Sequence, residues 1–444
     1  MSDAPFDLTL LPASARVEPD GSVSVGGVSL LAIAAEFGTP LYVYDEGELR
    51  GRCREYRERF GTGAGVAYAS KAFLCTAMAR LVAEEGLDLD VATGGELHVA
   101  LRAGFPAARI VFHGNNKSAG ELQAALEAGV GRIVVDSFDE LDRLAGLTAD
   151  ALIEGAAPVG VLVRVTPGVE AHTHEYIETG TDDSKFGFGL HNGDALRAVQ
   201  LVVAMGAVRF AGLHCHIGSQ VFRLDSFAAA VDRMAGLVLT VENETGATVE
   251  ELNLGGGLGV RYVSSDEGPT VAQYATALRD GVAKALAAHG VRSRPALSVE
   301  PGRSIAGPAG LTLYTVGTIK TIPGVRTYVA VDGGMSDNAR PVTYGARYET
   351  FLPGRAGAPR ALVATLAGKH CEQGDLLVRD ARLPADLAVG DIVATPVTGA
   401  YAHSMASNYN KILRPAVVFV QDGNARLVVR REDPDDLVRL DLPI

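Results

Sequence analysis

The segment YASKAF places a lysine, Lys71, where a short apolar run gives way to small polar residues. An ammonium among Ala, Ser and Phe is set up to be partly desolvated. Desolvation lowers the pKa of an amine, and a neutral amine condenses with a carbonyl. Taken alone, the same residue reads equally as a surface lysine whose stem lies along apolar neighbours. The run GGGLG at 255–259 lets backbone N–H groups approach a phosphate, or simply closes a tight turn. EPGRS at 300–304 brings a carboxylate (Glu300), a fixed turn (Pro301, Gly302) and a guanidinium (Arg303) together. Glu300 can hold a proton on a ring nitrogen, and Arg303 can bind a phosphate or a carboxylate. A local Glu–Arg ion pair is the plainer reading of the same four residues.

GLHCHIGSQ at 212–220 alternates, so His214 and His216 share one face and Cys215 the other. His-x-His, like HTH at 172–174, invites a metal. Neither pair has an acidic or cysteine ligand near it in sequence at metal spacing, so no metal is expected. An imidazole stacked on a cofactor ring, with Ser219 reaching a phosphate, suits the neighbouring motifs better. Further on, HCEQGD at 370–375 flanks Cys371 with His370 and Glu372, a polar setting for a proton donor. GAYAHSMASNYN at 399–410 contributes Tyr401, and ARPVTYGARY at 339–348 sets Arg340 and Tyr344 four apart, a carboxylate clamp or a solvated charge. Cys53, Cys75 and Cys215 read as structural.

These residues need elements to position them. Strand-like runs fall at 66–72, 87–93, 110–114, 132–137, 159–165, 210–216, 251–256 and 296–302, separated by segments with apolar residues at helical spacing. Eight strands alternating with helices over about 250 residues predict a (β/α)8 TIM barrel. A doubly wound open sheet is the runner-up, disfavoured by the strand count and by the lack of a Gly-x-Gly turn after the first strand. Nearly all the unusual polar residues fall at strand C-terminal ends, the face that carries chemistry in this barrel. Beyond about residue 308 the texture becomes strand, turn, strand, with a hairpin expected about Asp422–Gly423. The chain is therefore expected to hold a barrel over 46–308 and a β-domain, sandwich- or barrel-like, over 309–444 that takes in residues 1–45.

The bulk numbers narrow the partners. Forty basic and 53 acidic residues give a net charge of −13, which repels phosphate backbones and anionic membranes. No 18-residue apolar stretch, basic run or low-complexity tract occurs. The opening residues lack the basic-then-apolar order of a signal peptide, and four cysteines make neither a disulfide framework nor a CxxC pair. A cytoplasmic enzyme with no nucleic-acid or membrane partner is expected.

Taken as an ordered set, YASKA, HIGS, GGGLG, EPGR, CEQGD and GAY resemble the fold-type III pyridoxal-phosphate (PLP) decarboxylases over residues 40–420. HEYIETGTDDSKFGF (174–188), DNARPVTYGARY, HCEQGD and AYAHSMASNYN point, within that group, to the diaminopimelate decarboxylases. The resemblance implies PLP held as a Schiff base on Lys71, with His216 stacked on its ring and Glu300 paired with its nitrogen. It implies that Ser219, Gly256, Gly257, Pro301, Gly302, Arg303 and Tyr401 surround the phosphate and substrate. Arg303, Arg340 and Tyr344 would hold the carboxylate of meso-diaminopimelate, Glu372 its distal amine, and Cys371 would donate a proton. It also implies a homodimer with shared active sites, Cys371 and Glu372 serving the partner's cofactor. AYAHSM, where many relatives carry Cys or Tyr after the tyrosine, is a small departure. Two other readings stay open: a decarboxylase of ornithine, lysine or arginine, and a catalytically silent PLP-binding regulator. A phosphate-sugar barrel enzyme without PLP is a third.

Overall fold

The computed structural model describes residues 6–61, 63, 65–149, 158–169, 180 and 183–442. HTH at 172–174 and the start of the HEYIETG segment lie outside these residues. The chain forms two compact units: Met1–Arg52 with Val260–Glu267 and Arg303–Ile444, and Cys53–Gly259 with Gly268–Gly302.

In the first unit the chain opens with three short strands, β1 (Arg16–Val17), β2 (Val23–Val25) and β3 (Val28–Ser29), which pair antiparallel in that order. Ser29 then caps the helix Leu30–Phe37, its side chain accepting from Ala32 N, and Gly38 at φ +69° ends it. β4 (Leu41–Asp45) follows and is buried on every residue.

Among the described residues the second unit contains nine strands: β5 (Gly65–Ala69), β6 (Asp88–Val91), β7 (Ile110–Phe112), β8 (Arg132–Val135), β9 (Gly160–Thr166), β10 (Phe188–Gly189), β11 (Arg209–Cys215), β12 (Glu251–Asn253) and β13 (Ala296–Val299). Eight of them close into a parallel barrel running β5-β6-β7-β8-β9-β11-β12-β13 and back to β5, with the short β10 added beside β9. The eight expected strands are all present. Most of the sequence runs overshoot the hydrogen-bonded strands by a few residues because they include the first turn of the following loop, whereas the run at 159–165 stops one residue short of β9.

The barrel interior is filled with side chains. Ala67, Val111, Val134, Leu162 and Ala211 form one buried apolar cluster, where two alanines leave room for the larger residues opposite. Helices between the strands begin on side-chain caps, among them Thr93 on Glu96 N, Ser118 in a capping box with Glu121, and Ser137 on Glu140 N. The loop after β7 is pinned by Lys117, whose buried ammonium meets Glu140 Oε1 at 2.8 Å and the carbonyls of Gly114 and Val134 at 2.7 Å each.

The rest of the first unit is a twisted sheet. β14 (Gly310–Ile322), β15 (Arg326–Val331), β16 (Leu362–Ala367), β17 (Leu376–Leu383), β18 (Ile392–Pro396), β19 (Ala416–Gln421) and β20 (Asn424–Val429) join β4 in the order β17-β16-β15-β14-β4-β19-β20, with β18 on β14. β19 and β20 form the expected hairpin, Asp422 and Gly423 both taking the positive φ that such a two-residue turn requires (+51° and +77°). Leu41, Val43, Leu311, Leu313, Val329, Leu366, Val393 and Val418 belong to the core of this unit.

Candidate active site

In the barrel the polar residues cluster at the carboxyl ends of the strands. Lys71 lies two residues past β5, on the 3₁₀ turn Ser70–Ala72. Its neighbours Ser70, Ala72 and Phe73 are buried, but Lys71 itself is exposed. This corrects the expected partial desolvation.

Glu300 follows β13 and is buried, at 6% exposure. Its Oε1 meets His113 Nε2 at 2.8 Å and Asn253 Nδ2 at 2.8 Å, while Oε2 meets His214 Nε2 at 3.0 Å. The two imidazoles pack edge to face, with centroids 4.8 Å apart. His113 Nε2 also lies 3.9 Å from Asp90 Oδ1 on β6. Burial opposes ionisation of Glu300, yet His113 and His214, through charge and hydrogen bonds, hold its carboxyl well below the usual range. Burial alone would make His113 less basic, but Glu300 and Asp90 raise it above an ordinary histidine. His214, dominated by burial, falls to about 4 and is neutral, and burial pushes Asp90 up to about 6.

His113, Asn253 and Asp90 carry no local pattern in the sequence: His113 and Asn253 are single polar residues closing apolar runs, and Asp90 alternates with Asp88 inside its strand. The carboxylate that meets His214 is not a sequence neighbour: Glu300 lies 86 residues away. His113, His214 and Glu300 bring three ligand atoms within 4.8 Å of one another. The separations of 2.8 and 3.0 Å are those of N–H donors on a carboxylate.

His216, just past β11, accepts a hydrogen bond from Gly256 N at Nδ1 (3.2 Å). Burial, then the cations of Lys71 and Arg164, hold it well below an ordinary histidine, so the ring is neutral. The glycine loop is laced to the His216–Val221 loop, Val221 N donating to Gly257 O (2.9 Å) and Gly259 N to Val221 O (3.0 Å). A Cβ on Gly256 would lie 2.2 Å from Glu300 O, and one on Gly257, where φ is +109°, 2.2 Å from Gly218 O. The backbone is therefore bare here because no side chain fits. Pro301 O accepts from Ala69 N (3.1 Å), and a Cβ on Gly302 would meet Ala69 and Ala72 at 3.0 Å, so the EPG turn packs on the end of β5 beside Lys71. Ser219 is half-buried in the same loop as His216.

These residues fit PLP. A bare glycine loop suits a phosphate, an accessible amine suits an aldehyde, a neutral imidazole suits an aromatic ring, and a buried carboxylate suits a ring nitrogen.

In the sheet-rich unit, Arg303 and Arg340 are both buried (6% and 4% exposed) and are joined through Tyr262. Arg303 Nη1 donates to the Tyr262 hydroxyl at 2.6 Å, and the Arg340 guanidinium lies 4.3 Å from the centre of the same ring. Arg303 also lies over Tyr401 at 4.6 Å. Arg340 Nη1 donates to the Tyr348 hydroxyl at 2.5 Å, and its Nε is buried with no hydrogen-bond partner. Among the described residues Arg340 forms no ion pair. Tyr344 ends the short helix Arg340–Tyr344 and is half-buried, and Tyr348 follows it four residues on. Tyr262 and Tyr348 were not anticipated.

Cys371 and Glu372 are exposed. Their loop is braced from beneath by His370, whose Nδ1 lies 2.7 Å from Asp375 Oδ2, and by Asn410 Oδ1, which accepts from Cys371 N at 2.9 Å.

Residues 46–307 match the family model "Pyridoxal-dependent decarboxylase, pyridoxal binding domain". Over 439 residues the chain is 50% identical to diaminopimelate decarboxylase of Mycobacterium tuberculosis, covering 97% of both chains. The chain belongs to the diaminopimelate decarboxylase family. The Bacillus subtilis relative is 48% identical over 436 residues, covering 98% of both. Among solved structures, diaminopimelate decarboxylase from M. jannaschii in complex with L-lysine superposes with a TM-score of 0.89 at 34% identity, covering 98% of each chain. The TIM barrel, the sheet-rich companion domain and PLP as cofactor follow from this membership. Among the described residues no helix is long and apolar enough to cross a membrane.

Proposed function

We propose that this chain decarboxylates meso-2,6-diaminopimelate to L-lysine and CO2 in the cytoplasm, as the last step of lysine biosynthesis. PLP, when bound, supplies the electron sink that takes up the charge left by departing CO2. Lys71 would hold the cofactor through its amine, and Glu300 would pair as a carboxylate with the ring nitrogen. His216 would offer a neutral imidazole to the ring, and Ser219, Gly256 and Gly257 with the Pro301–Gly302 turn would hold the phosphate. Arg303, Arg340, Tyr344 and Tyr401 orient the substrate by its carboxylates, and Glu372 takes the distal ammonium.

The observation that carries the substrate assignment is Arg340. A buried guanidinium held by tyrosines, with an unpartnered Nε and no ion pair among the described residues, has donor capacity and uncompensated charge to offer an anion. Ornithine, lysine and arginine have no distal carboxylate to offer; diaminopimelate has one.

Cys371 delivers the proton that replaces CO2. Its exposure, and that of Glu372, supports a homodimer in which both reach the partner's cofactor. Turnover of meso-diaminopimelate should exceed that of ornithine, lysine and arginine, and no turnover of diaminopimelate would refute the substrate. The visible absorption of the holoenzyme should vanish in Lys71→Ala. Mixing inactive Lys71→Ala and Cys371→Ala dimers should restore activity if the sites are shared, and no recovery would refute sharing.

A further inference from the structure

The role proposed for Glu300 does not account for the three side chains that surround it. Burial by itself would drive a carboxylate toward its neutral form, and a buried polar group needs at least one hydrogen-bond partner. Here β7, β11 and β12 each send a side chain to it, and all three are almost fully buried: His113 at 6% exposure, His214 at 1% and Asn253 at 1%. A carboxylate offers about four lone-pair positions. His113 and Asn253 take two on Oε1 and His214 one on Oε2, so a single position is left. Asn253 is itself fixed, since its Oδ1 accepts from Gly255 N at 2.9 Å, which leaves the amide NH2 toward Glu300. Glu300 N in turn donates to Gly255 O at 2.8 Å. The carboxylate is therefore locked in position, orientation and charge by groups that do not belong to its own strand.

We infer that His113, with Asn253 and His214, is a positioning residue that holds Glu300 ionised, with one lone pair free for the ring nitrogen of the cofactor. The inference rests on the reading of Glu300 given above. His113 carries the largest share because it is placed between two carboxylates, 2.8 Å from Glu300 and 3.9 Å from Asp90, and so supplies charge as well as a donor. His214 supplies a neutral N–H, because its Nδ1 is buried with no partner. The chemistry recognised is that of a protonated pyridine. A neutral or rotated carboxylate at this position would not hold that proton.

The test uses the holoenzyme and its apo form. His113→Leu removes the donor, and His113→Gln keeps an N–H at the same reach. Losing a hydrogen bond to a charged group predicts roughly 10–100-fold weaker PLP binding to apoenzyme by calorimetry, with a comparable fall in kcat. KM for diaminopimelate should stay within about twofold, since His113 does not touch substrate. His113→Gln should recover most of both losses, which a purely structural role would not predict. In a Glu300→Gln background, His113→Leu should add nothing further. PLP affinity and kcat unchanged in His113→Leu, or losses additive with Glu300→Gln, would overturn the inference. If His113→Leu does not fold, Asn253→Ala probes the same cradle from the next strand, with the same expected and opposing results. Should Glu300→Gln alone leave PLP affinity and kcat unchanged, the reading of Glu300 fails instead, and the two failures are thereby distinguished.

Discussion

The Arg340 guanidinium lies 4.3 Å from the centre of the Tyr262 ring, the same ring whose hydroxyl accepts from Arg303 at 2.6 Å. One tyrosine thus spaces two buried cations that would otherwise repel. Tyr262→Leu should raise KM for diaminopimelate about tenfold or more, while leaving the slow turnover of ornithine nearly unchanged. Tyr262→Phe, which keeps the ring and loses the hydroxyl, should cost less, about three- to fivefold. Steady-state kinetics on both substrates checks this, and an equal loss on ornithine would argue against a carboxylate-specific role.

Gly257 combines a φ of +109° with a backbone oxygen 2.2 Å from where a Cβ would stand. Gly257→Ala must therefore shift the loop that faces the proposed phosphate. Strain of about 1–3 kcal/mol at such a position translates to roughly tenfold or more in PLP affinity. Titration of the apoenzyme with PLP measures it.

His214 provides a pH dependence with a definite sign. Burial depresses its folded pKa to about 4, below the usual 6.5. Between these values the unfolded chain binds a proton that the folded chain refuses. Stability from this group is therefore complete above about pH 6.5 and is lost as pH falls toward 4, by up to about 3 kcal/mol. His214→Gln should be less stable at pH 7 but lose less on acidification, as read from melting temperatures across that range. A parallel decline in both proteins would count against it.

The pair Lys117–Glu140 is almost wholly buried, each side chain 1% exposed. Glu140→Gln would strand the ammonium and should destabilise the barrel by about 3–5 kcal/mol. Lys117→Met with Glu140→Leu removes both charges and should be more stable than the single variant. Denaturant melts of the three proteins decide.

The barrel was legible because its strands are continuous apolar runs and its chemistry falls where those runs end. Lys71, the glycine loop and EPGR could be read as local patterns, and each lies at a strand end. What stayed hidden was long-range. His113 meets Glu300 across 187 residues and Asn253 across 47, and a single histidine after IVF carries no local pattern to announce a partner. Tyr262 was hidden for the same reason: its ring gains meaning only when two arginines from elsewhere in the chain close on it. The exposure of Lys71 is not legible from its apolar sequence neighbours, because it sits on the turn Ser70–Ala72 beyond the strand.

The central position of β4 has a consequence for how the chain is made. Its residues Leu41–Asp45 pair with β14 on one side and β19 on the other, and the Tyr44 hydroxyl donates to Gly399 O, 355 residues downstream. At ribosomal speeds those partners emerge tens of seconds later. For that interval a strand destined to be fully buried has both edges unsatisfied while all the barrel strands are synthesised. The amino-terminal segment is thus the part of the nascent chain most in need of shielding, and the last element whose folding can be completed.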